Sequence, residues 1–412
     1  MAETGSSELR RGWPIILAAA IGVGTGMSPL PIFSLGVLTK PIATEFGWGR
    51  GEIQAFLAFA TLGAFIGAPL FGTLMDRKGV RPVVLFSTVA FGILFGATGY
   101  VTSSLTTFYG ICLLTSILGS GTLPVTWSRA IFNRFFEKRG LALGLALAGT
   151  GFAAFSVPPL TAWLIGAYSW RAAFVGLALL PLVISLPVSF FLLRDTPTGA
   201  QAQDAPAPDT RGKTLREAVS DYRFWVIWLA FFLAGLGTGG VITNIVPMMM
   251  DRGYDIQTAA GVASAQGLAV IFGRAIAGYF LDRIWAPILA TIVLALPAAA
   301  CLVLAGSPDI ATATVAVVLV GFAAGADFDL VAYLAQRYFG LKHFGKVYGC
   351  LYPGLVTAAG IAPALFGRAY DVSGTYTFVL QIVAGCFAVA AVLVLAVGPY
   401  PPEFAPPNKK TA

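Results

Sequence analysis

The sequence predicts an all-α membrane protein with twelve transmembrane helices in two similar six-helix bundles. Its composition, its long apolar stretches and a repeat of helix-end motifs all point to this fold class. Hydrophobic residues make up 57% of the 412 residues and charged residues only 11%, whereas a soluble chain is about one-quarter charged. The mean hydropathy is +0.81. Such a chain has too little polar surface to cover itself in water, so lipid is the expected solvent.

Twelve apolar stretches are long enough to cross a bilayer. A helix needs about 20 apolar residues to do so, whereas a membrane β-strand needs about ten residues of alternating polarity. These stretches are continuous and rich in Ala, Leu, Val and Gly, which favours helices. They cover residues 13–38, 52–74, 82–101, 108–132, 141–166, 172–193, 222–247, 258–280, 285–305, 311–336, 346–367 and 374–398.

One long polar segment, residues 195–221, separates six stretches from six. It is built from Pro, Gly, Thr, Asp and Lys among other polar residues, which is typical of a flexible connection. We therefore expect an N-terminal six-helix bundle over residues 1–194, a cytoplasmic linker over 195–221 and a C-terminal six-helix bundle over 222–412.

The positions of Lys and Arg predict the orientation of the chain. If both termini are cytoplasmic, 19 of the 26 basic residues fall on the inside and five on the outside, while two lie within helices. Basic residues accumulate on the cytoplasmic side of membrane proteins. We therefore expect a multi-pass protein of the cell inner (plasma) membrane with both termini in the cytoplasm. The same distribution accounts for the net charge of +7 without a nucleic-acid partner.

Nothing in the sequence indicates an enzyme. No Walker sequence for ATP-driven pumping and no metal or nucleophile constellation occurs within the apolar stretches, so we expect no cofactor, no metal and no catalytic residue. The cysteines lie in apolar runs without paired spacing and are interpreted as small buried side chains. They are Cys112, Cys301, Cys350 and Cys386.

Helix-end motifs repeat at corresponding places in the two halves. The second stretch ends in Gly72–Arg77 and the eighth in Gly278–Arg283, and both runs close with Asp-Arg. The fourth ends in Arg134-Phe135-Phe136 and the tenth in Arg337-Tyr338-Phe339. Six-plus-six repeats allow one half to rock against the other around a site at their interface.

Two motifs carry a family resemblance. The pattern Gly72-x-Leu74-x-Asp76-Arg77-x-Gly79-x-Arg81 resembles the loop signature of the major facilitator superfamily. The run Phe135–Thr150 contains an aromatic pair, Lys-Arg and Leu-Ala-x-Gly-x-Ala-x-Ala-Gly-Thr. It resembles the signature with which monocarboxylate transporters enter their fifth helix. The resemblance implies the major facilitator fold and proton-linked movement of small carboxylates such as lactate or pyruvate.

The chain also departs from that family. Monocarboxylate transporters often pair Asp and Arg one turn apart on the eighth helix, but here Arg274 is preceded by Val270 at the acidic position. The first-helix lysine of animal members has no counterpart within the apolar run, since Lys40 lies at its outer end. Thr115 or Ser116 stands where drug and sugar members of the superfamily carry a fourth-helix Arg. The residues that couple transport to protons must therefore be sought elsewhere.

Away from their ends, the predicted helices contain four charged residues that merit a functional hypothesis, because charge within the membrane is expensive and commonly marks a transport path. Arg274 lies eight residues before Asp282, and Asp329 lies eight residues before Arg337, so each is about 12 Å inside the cytoplasmic end of its helix. Both helices run inward. We therefore expect Arg274 and Asp329 to pair. The four residues are Arg129, Arg274, Asp327 and Asp329.

This pair suggests a coupling chemistry. Arg274 offers a planar two-donor fork that matches a substrate carboxylate, and Asp329 is the expected proton carrier. Substrate would compete with Asp329 for Arg274 and release the aspartate to take up a proton. Asp327 is the alternative proton carrier, although it lies on a different helix face. A fixed structural ion pair is the other interpretation.

The other predicted site residues have structural alternatives. Arg129 is a second anion anchor or a side chain that snorkels to the interface. Tyr333 shares the face of Asp329 and either donates to a carboxylate, closes the inner gate or anchors the helix at the interface. Asn244 and Tyr352 line the path or pack between helices. Together with Arg274, these residues form the predicted substrate site.

The repeated loop motif is predicted to act in gating or in contact between the halves, as the resemblance implies. Its alternative role is a topological anchor made of cytoplasmic charge. The residues concerned are Gly72, Asp76, Arg77, Gly79, Arg81, Asp282 and Arg283.

These observations favour a proton-coupled symporter of small organic anions that works by rocker-switch alternating access. Its partners would be a small carboxylate, a proton and the lipid bilayer, and its functional unit a monomer. An anion exchanger without a proton step remains open, because Arg129 and Arg274 would suit it. A membrane sensor that signals through the linker is the third alternative.

Overall fold

The fold is described from a computed structural model. It covers residues 2–101, 104–132, 134–135, 139–193, 212–281, 283–340 and 342–401. Within these ranges all regular elements are helical, apart from one isolated bridge between Gly212 and Gly340. The same ranges contain 12 stretches long and apolar enough to cross a membrane. The predicted all-α membrane fold with twelve spans is therefore confirmed.

The helices are, in chain order, α1 (Ala2–Gly24), α2 (Pro29–Phe46), α3 (Arg50–Lys78), α4 (Val80–Val101), α5 (Leu105–Gly119), α6 (Pro124–Phe132), α7 (Arg139–Ala167), α8 (Trp170–Leu179), α9 (Leu186–Leu192), α10 (Leu215–Ser220), α11 (Tyr222–Asp251), α12 (Ile256–Leu281), α13 (Ala286–Ala305), α14 (Ile310–Phe339), α15 (Phe344–Ser373) and α16 (Thr377–Leu395). A 3-10 turn, Ser120–Thr122, joins α5 to α6, and a π-helical segment, Leu180–Ser185, joins α8 to α9. The short helix α10 lies in the predicted linker, of which residues 195–211 are outside the described ranges.

The first membrane span is broken, although its sequence predicts one apolar stretch over residues 13–38. Helix α1 ends at Gly24, and α2 begins at Pro29, which lacks the N–H needed to continue the ladder. Within the break, the Met27 N–H donates to Thr122 Oγ1 at 3.0 Å. Thr122 belongs to the 3-10 turn that interrupts the fourth span, so one break supplies a hydrogen-bond partner to the other. Such compensation is what allows irregular backbone at membrane depth.

The chain packs into two compact units. The first comprises Met1–Ala200, Ile242–Leu268 and Pro363–Gly374, and the second comprises Gln201–Val241, Ala269–Ala362 and Thr375–Ala412. The first unit therefore includes the last part of α11, the first half of α12 and the last part of α15. The six-plus-six division over 1–194 and 222–412 remains a prediction.

Glycines bring helix backbones into direct contact in both units. A Cβ at Gly149 of α7 would lie 1.9 Å from the carbonyl oxygen of Ala20 in α1. In the second unit, a Cβ at Gly239 of α11 would lie 2.5 Å from the carbonyl oxygen of Ala359 in α15. These pairs join the first and fifth spans of each set of six. Small residues at such crossings increase van der Waals contact where the hydrophobic effect cannot drive association.

A second contact of this kind joins the second and fourth spans of each set. In the first unit, a Cβ at Gly67 of α3 would lie 2.6 Å from the carbonyl oxygen of Ile117 in α5. In the second unit, a Cβ at Gly273 of α12 would lie 2.1 Å from the carbonyl oxygen of Phe322 in α14. The repeat seen in the helix-end motifs thus extends to the way the helices pack.

Gly149→Ala should destabilise the protein, because its new methyl group collides with the backbone of α1. Overpacking of this kind costs about 1–3 kcal/mol. Gly144→Ala is the matched control, since it lies in the same helix and sequence motif but has no atom within 4 Å of the added Cβ. Thermal unfolding of the purified variants in detergent should show a lower midpoint for Gly149→Ala only. Equal midpoints would contradict the proposed crossing.

Candidate functional site

The structure brings Arg274 and Asp329 together within the second unit. The Arg274 Nε lies 3.4 Å from Asp329 Oδ2, and the two side chains are 21% and 35% exposed. Asp329 thus partly offsets the charge of the guanidinium. Both side chains are accessible enough to exchange this contact for one with another partner. The arrangement is chemically able to bind an anion at Arg274 by displacing Asp329.

The crossing of α12 and α14 determines this geometry. A Cβ at Gly273, the residue before Arg274, would meet the Phe322 carbonyl, and a Cβ at Gly325 would lie 2.1 Å from the Val270 carbonyl oxygen. The two backbones are therefore in contact over the residues that precede Arg274 on α12 and Asp329 on α14. Because Asp329 follows Gly325 by one turn, its short side chain reaches the guanidinium.

Asp327 occupies a different environment from Asp329. Its side chain is buried, and only 1% of the residue is exposed. Among the residues that the structure describes, its Oδ1 has no hydrogen-bond partner. Burial of a charge is unfavourable unless the charge is paired and hydrogen-bonded. The two aspartates of α14 therefore differ in both access and partners.

Two of the predicted substrate residues have partners other than the ion pair. The Tyr333 hydroxyl accepts a hydrogen bond from Arg337 Nη2 at 2.9 Å. Asn244 is fully buried in the first unit, where its Oδ1 accepts from Gln54 Nε2 at 2.8 Å. Arg129 lies half-buried in the last turn of α6, also in the first unit.

Tyr352, on α15, is the predicted substrate residue that lies near the ion pair. It is half-buried, interacts electrostatically with Arg274 and packs against Phe328, with 5.6 Å between the ring centroids. Phe328 immediately precedes Asp329. The described part of the site therefore combines a cation, a carboxylate and aromatic surface.

The loop motif has identifiable structural roles. Gly79 caps α3 with φ 87°, a left-handed conformation that favours glycine. Arg81 Nη2 donates to the carbonyl oxygen of Phe190 in α9 at 2.7 Å. Arg77 and Arg283 are exposed, and Arg283 Nη1 donates to the Tyr279 carbonyl oxygen at 2.7 Å. Gly72 has open space at its Cβ position. The Asp76 side chain and the whole of Asp282 lie outside the described residues.

Sequence reasoning missed a cluster of charges in the first unit. Arg50 forms a two-donor contact with Asp251, with Nη2 at 2.7 Å from Oδ1. Its guanidinium also lies 3.7 Å from the centroid of the Tyr370 ring. The carboxylate of Asp371 accepts from the N–H groups of Arg50 and Gly51, each at 2.9 Å. The partners are separated by 201 and 321 residues, so no local pattern could have revealed them.

With this geometry in place, comparison with known proteins identifies the family. A sequence model of the Major Facilitator Superfamily matches residues 16–352. The chain belongs to the major facilitator superfamily. This is a family of membrane transporters rather than of enzymes, and the resemblance inferred from the loop motif is confirmed.

Monocarboxylate transporters are among the relatives in this superfamily. The chain is 28% identical to "Monocarboxylate transporter 13" of Rattus norvegicus, over 94% of this chain and 89% of that protein. It is 28% identical to "Monocarboxylate transporter 4" of Gallus gallus, over 94% and 82%. It is 24% identical to "Uncharacterized MFS-type transporter YhjX" of Escherichia coli, over 85% and 86%.

A solved structure shows the same fold. A bacterial homologue of the human lysosomal transporter Spinster, in an inward-facing and occupied conformation, superposes with a TM-score of 0.69. The match covers 93% of this chain and 92% of that protein at 14% identity. The protein is therefore a multi-pass membrane transporter of the major facilitator fold, related to the monocarboxylate transporters.

The contact between Arg50 and Asp251 should contribute to stability, because both side chains are largely buried, at 10% and 20% exposure. Residues in direct contact of this kind show coupling energies of about 0.5–3 kcal/mol. Arg50→Gln, Asp251→Asn and the double variant should therefore give non-additive losses in thermal unfolding midpoint. Asp255→Asn is the control: Asp255 precedes α12 and its Oδ1 accepts from the Thr258 N–H at 3.0 Å, and asparagine also caps helices. Additive losses would exclude a stabilising pair.

Proposed function

We propose that this chain is a proton-coupled symporter of small monocarboxylates such as lactate or pyruvate. The observation that carries the proposal is the contact between Arg274 and Asp329, a cation and a carboxylate on two membrane helices and both partly accessible. The relatedness to monocarboxylate transporters supports the choice of substrate class.

Substrate binding begins at Arg274. A guanidinium donates two parallel hydrogen bonds to a carboxylate and remains charged throughout the physiological pH range. The incoming acid replaces Asp329 as the anionic partner of Arg274. A single guanidinium interacts less strongly with each of two carboxylates than with one alone. The arrival of substrate therefore weakens the interaction that keeps Asp329 charged.

The proton then joins Asp329. Once Arg274 is occupied by substrate, a charged Asp329 in surroundings of low polarity is unfavourable, and protonation neutralises it. Substrate and proton are thus bound together. Release reverses the sequence: when the carboxylate leaves, Arg274 attracts Asp329 again and expels the proton. Asp327, which is fully buried, is the alternative proton carrier.

The binding site serves both sides of the membrane by alternating access. In this proposal a six-helix half over residues 1–194 and another over 222–412 rock about the site, joined by the cytoplasmic linker 195–221. Both termini face the cytoplasm, and the protein works as a monomer in the cell inner membrane. The loop motif from Gly72 to Arg81, with Asp282 and Arg283, takes part in gating.

Arg274→Lys should reduce affinity for the acid by about tenfold or more, because an ammonium group cannot form the two-donor fork. The measurement is uptake of radiolabelled lactate or pyruvate into proteoliposomes, with an unchanged unfolding midpoint as evidence of folding. Arg368→Lys, an exposed position on α15, should behave as wild type. Unchanged affinity in Arg274→Lys would remove Arg274 from the site.

Asp329→Asn should abolish accumulation driven by a pH gradient, because asparagine cannot gain or lose the coupled proton. Exchange of labelled for unlabelled acid across the membrane should persist, since it requires no net proton movement. Asp327→Asn is the matched comparison on the same helix. If Asp327→Asn alone abolishes accumulation, the proton carrier is Asp327. If accumulation of the acid by the wild-type protein does not depend on the pH gradient and requires an anion inside the liposomes, the protein is an exchanger.

A further inference from the structure

Four aromatic rings form a continuous row beside the ion pair; we call them the ring ladder. Phe344, Tyr348 and Tyr352 follow one another on one face of α15 at intervals of four residues, and Phe328 of α14 completes the row. The ring centroids of Phe344 and Tyr348 are 5.4 Å apart, and those of Tyr348 and Tyr352 are 5.6 Å apart. Phe328 lies 5.6 Å from Tyr352. These separations are typical of interacting aromatic rings.

The ring ladder reaches the charged groups. Tyr348 interacts electrostatically with both Asp329 and Arg274, and Tyr352 interacts with Arg274. Phe328 is the residue next to Asp329. An anion held by Arg274 would therefore have aromatic surface beside it, on α14 and on α15.

The exposure of the rings distinguishes this face of α15 from its packing face. Leu351 and Leu355 of the same helix are 1% and 3% exposed, as expected of side chains that only hold helices together. Tyr348, Tyr352 and Phe328 are half-buried, like Arg274 and Asp329. Rings that served only to join α14 to α15 would be enclosed as the two leucines are. Partial exposure next to an ion pair leaves ring surface for a ligand.

We propose that the preferred substrate is a monocarboxylate with a flat aromatic body, which stacks on Tyr352 and Phe328 while its carboxylate binds Arg274. This inference rests on the proposed function, in which Arg274 binds the carboxylate. An acid as small as lactate would occupy Arg274 but leave the aromatic surface uncovered. An aryl group would cover that surface with the offset or edge-to-face geometry that aromatic rings prefer.

Binding of three 2-oxo acids to the purified full chain tests the proposal by titration calorimetry. Pyruvate carries the head group alone, 4-methyl-2-oxopentanoate adds a branched aliphatic body, and phenylpyruvate adds a ring. We expect phenylpyruvate to bind about tenfold more tightly than pyruvate, and more tightly than the aliphatic acid, since ring stacking adds to the burial of apolar area.

Three variants attribute the preference to the ring ladder. Tyr352→Leu keeps an apolar side chain but removes the ring, and it should reduce the ratio of phenylpyruvate to aliphatic-acid affinity to about one. Tyr352→Phe keeps the ring and should keep most of that ratio. Tyr168→Leu is the matched control, because Tyr168 is 71% exposed directly after α7 and lies outside the ring ladder; its affinities should equal those of wild type.

Three results would overturn the inference. Equal binding of the three acids by wild type would show that the ring ladder does not select the substrate, while leaving the carboxylate proposal intact. An equal loss of all three affinities in Tyr352→Leu, with their ratios unchanged, would assign Tyr352 to general packing. Binding of none of the three acids to wild type would reject carboxylate transport itself and this inference with it.

Discussion

The rest of the structure depends on the close approach of helix backbones at glycines. In lipid, helices gain nothing by burying apolar side chains against one another, so van der Waals contact must hold them together. Gly149 against Ala20 and Gly239 against Ala359 provide this contact at corresponding crossings of the two sets of six. Gly273 against Phe322 provides it beside Arg274. The small residues that look uninformative in the sequence therefore determine which functional side chains can meet.

Hydropathy was sufficient to predict the twelve spans. The pairing of Arg274 with Asp329 could be predicted from their depth in the membrane, because the helix rise per residue converts the sequence distance from the cytoplasmic end of a helix into a depth. Other features need contacts that no local pattern encodes. The break in the first span depends on a hydrogen bond to Thr122 of the fourth span. The contacts of Arg50 with Asp251 and Asp371 depend on three helices distant in sequence. The inward orientation of Asp327 depends on the rotation of α14 about its axis. Apolar residues on every side of this helix mean that the sequence does not determine that rotation.

Buried, paired polar groups and partly accessible polar groups lie in different compact units. The charge cluster at Arg50 and the hydrogen bond between Gln54 and Asn244 lie in the first compact unit. The partly accessible Arg274, Asp329 and ring ladder lie in the second. Polar groups with satisfied, buried partners resist change, whereas those left partly open can exchange a protein partner for a ligand. In the proposed function, the second unit would therefore supply the groups that bind the substrate.

The placement of the acidic partner on α14 has a mechanical consequence. Two opposite charges one turn apart on a single helix keep a constant separation as that helix moves. Here Val270 takes the acidic position and presents its backbone carbonyl to Gly325, while the carboxylate comes from Asp329 on the neighbouring helix. The separation of the charges therefore changes whenever α12 and α14 slide or rotate against each other. In the proposed function, ionisation of the pair would therefore be linked to the relative position of α12 and α14.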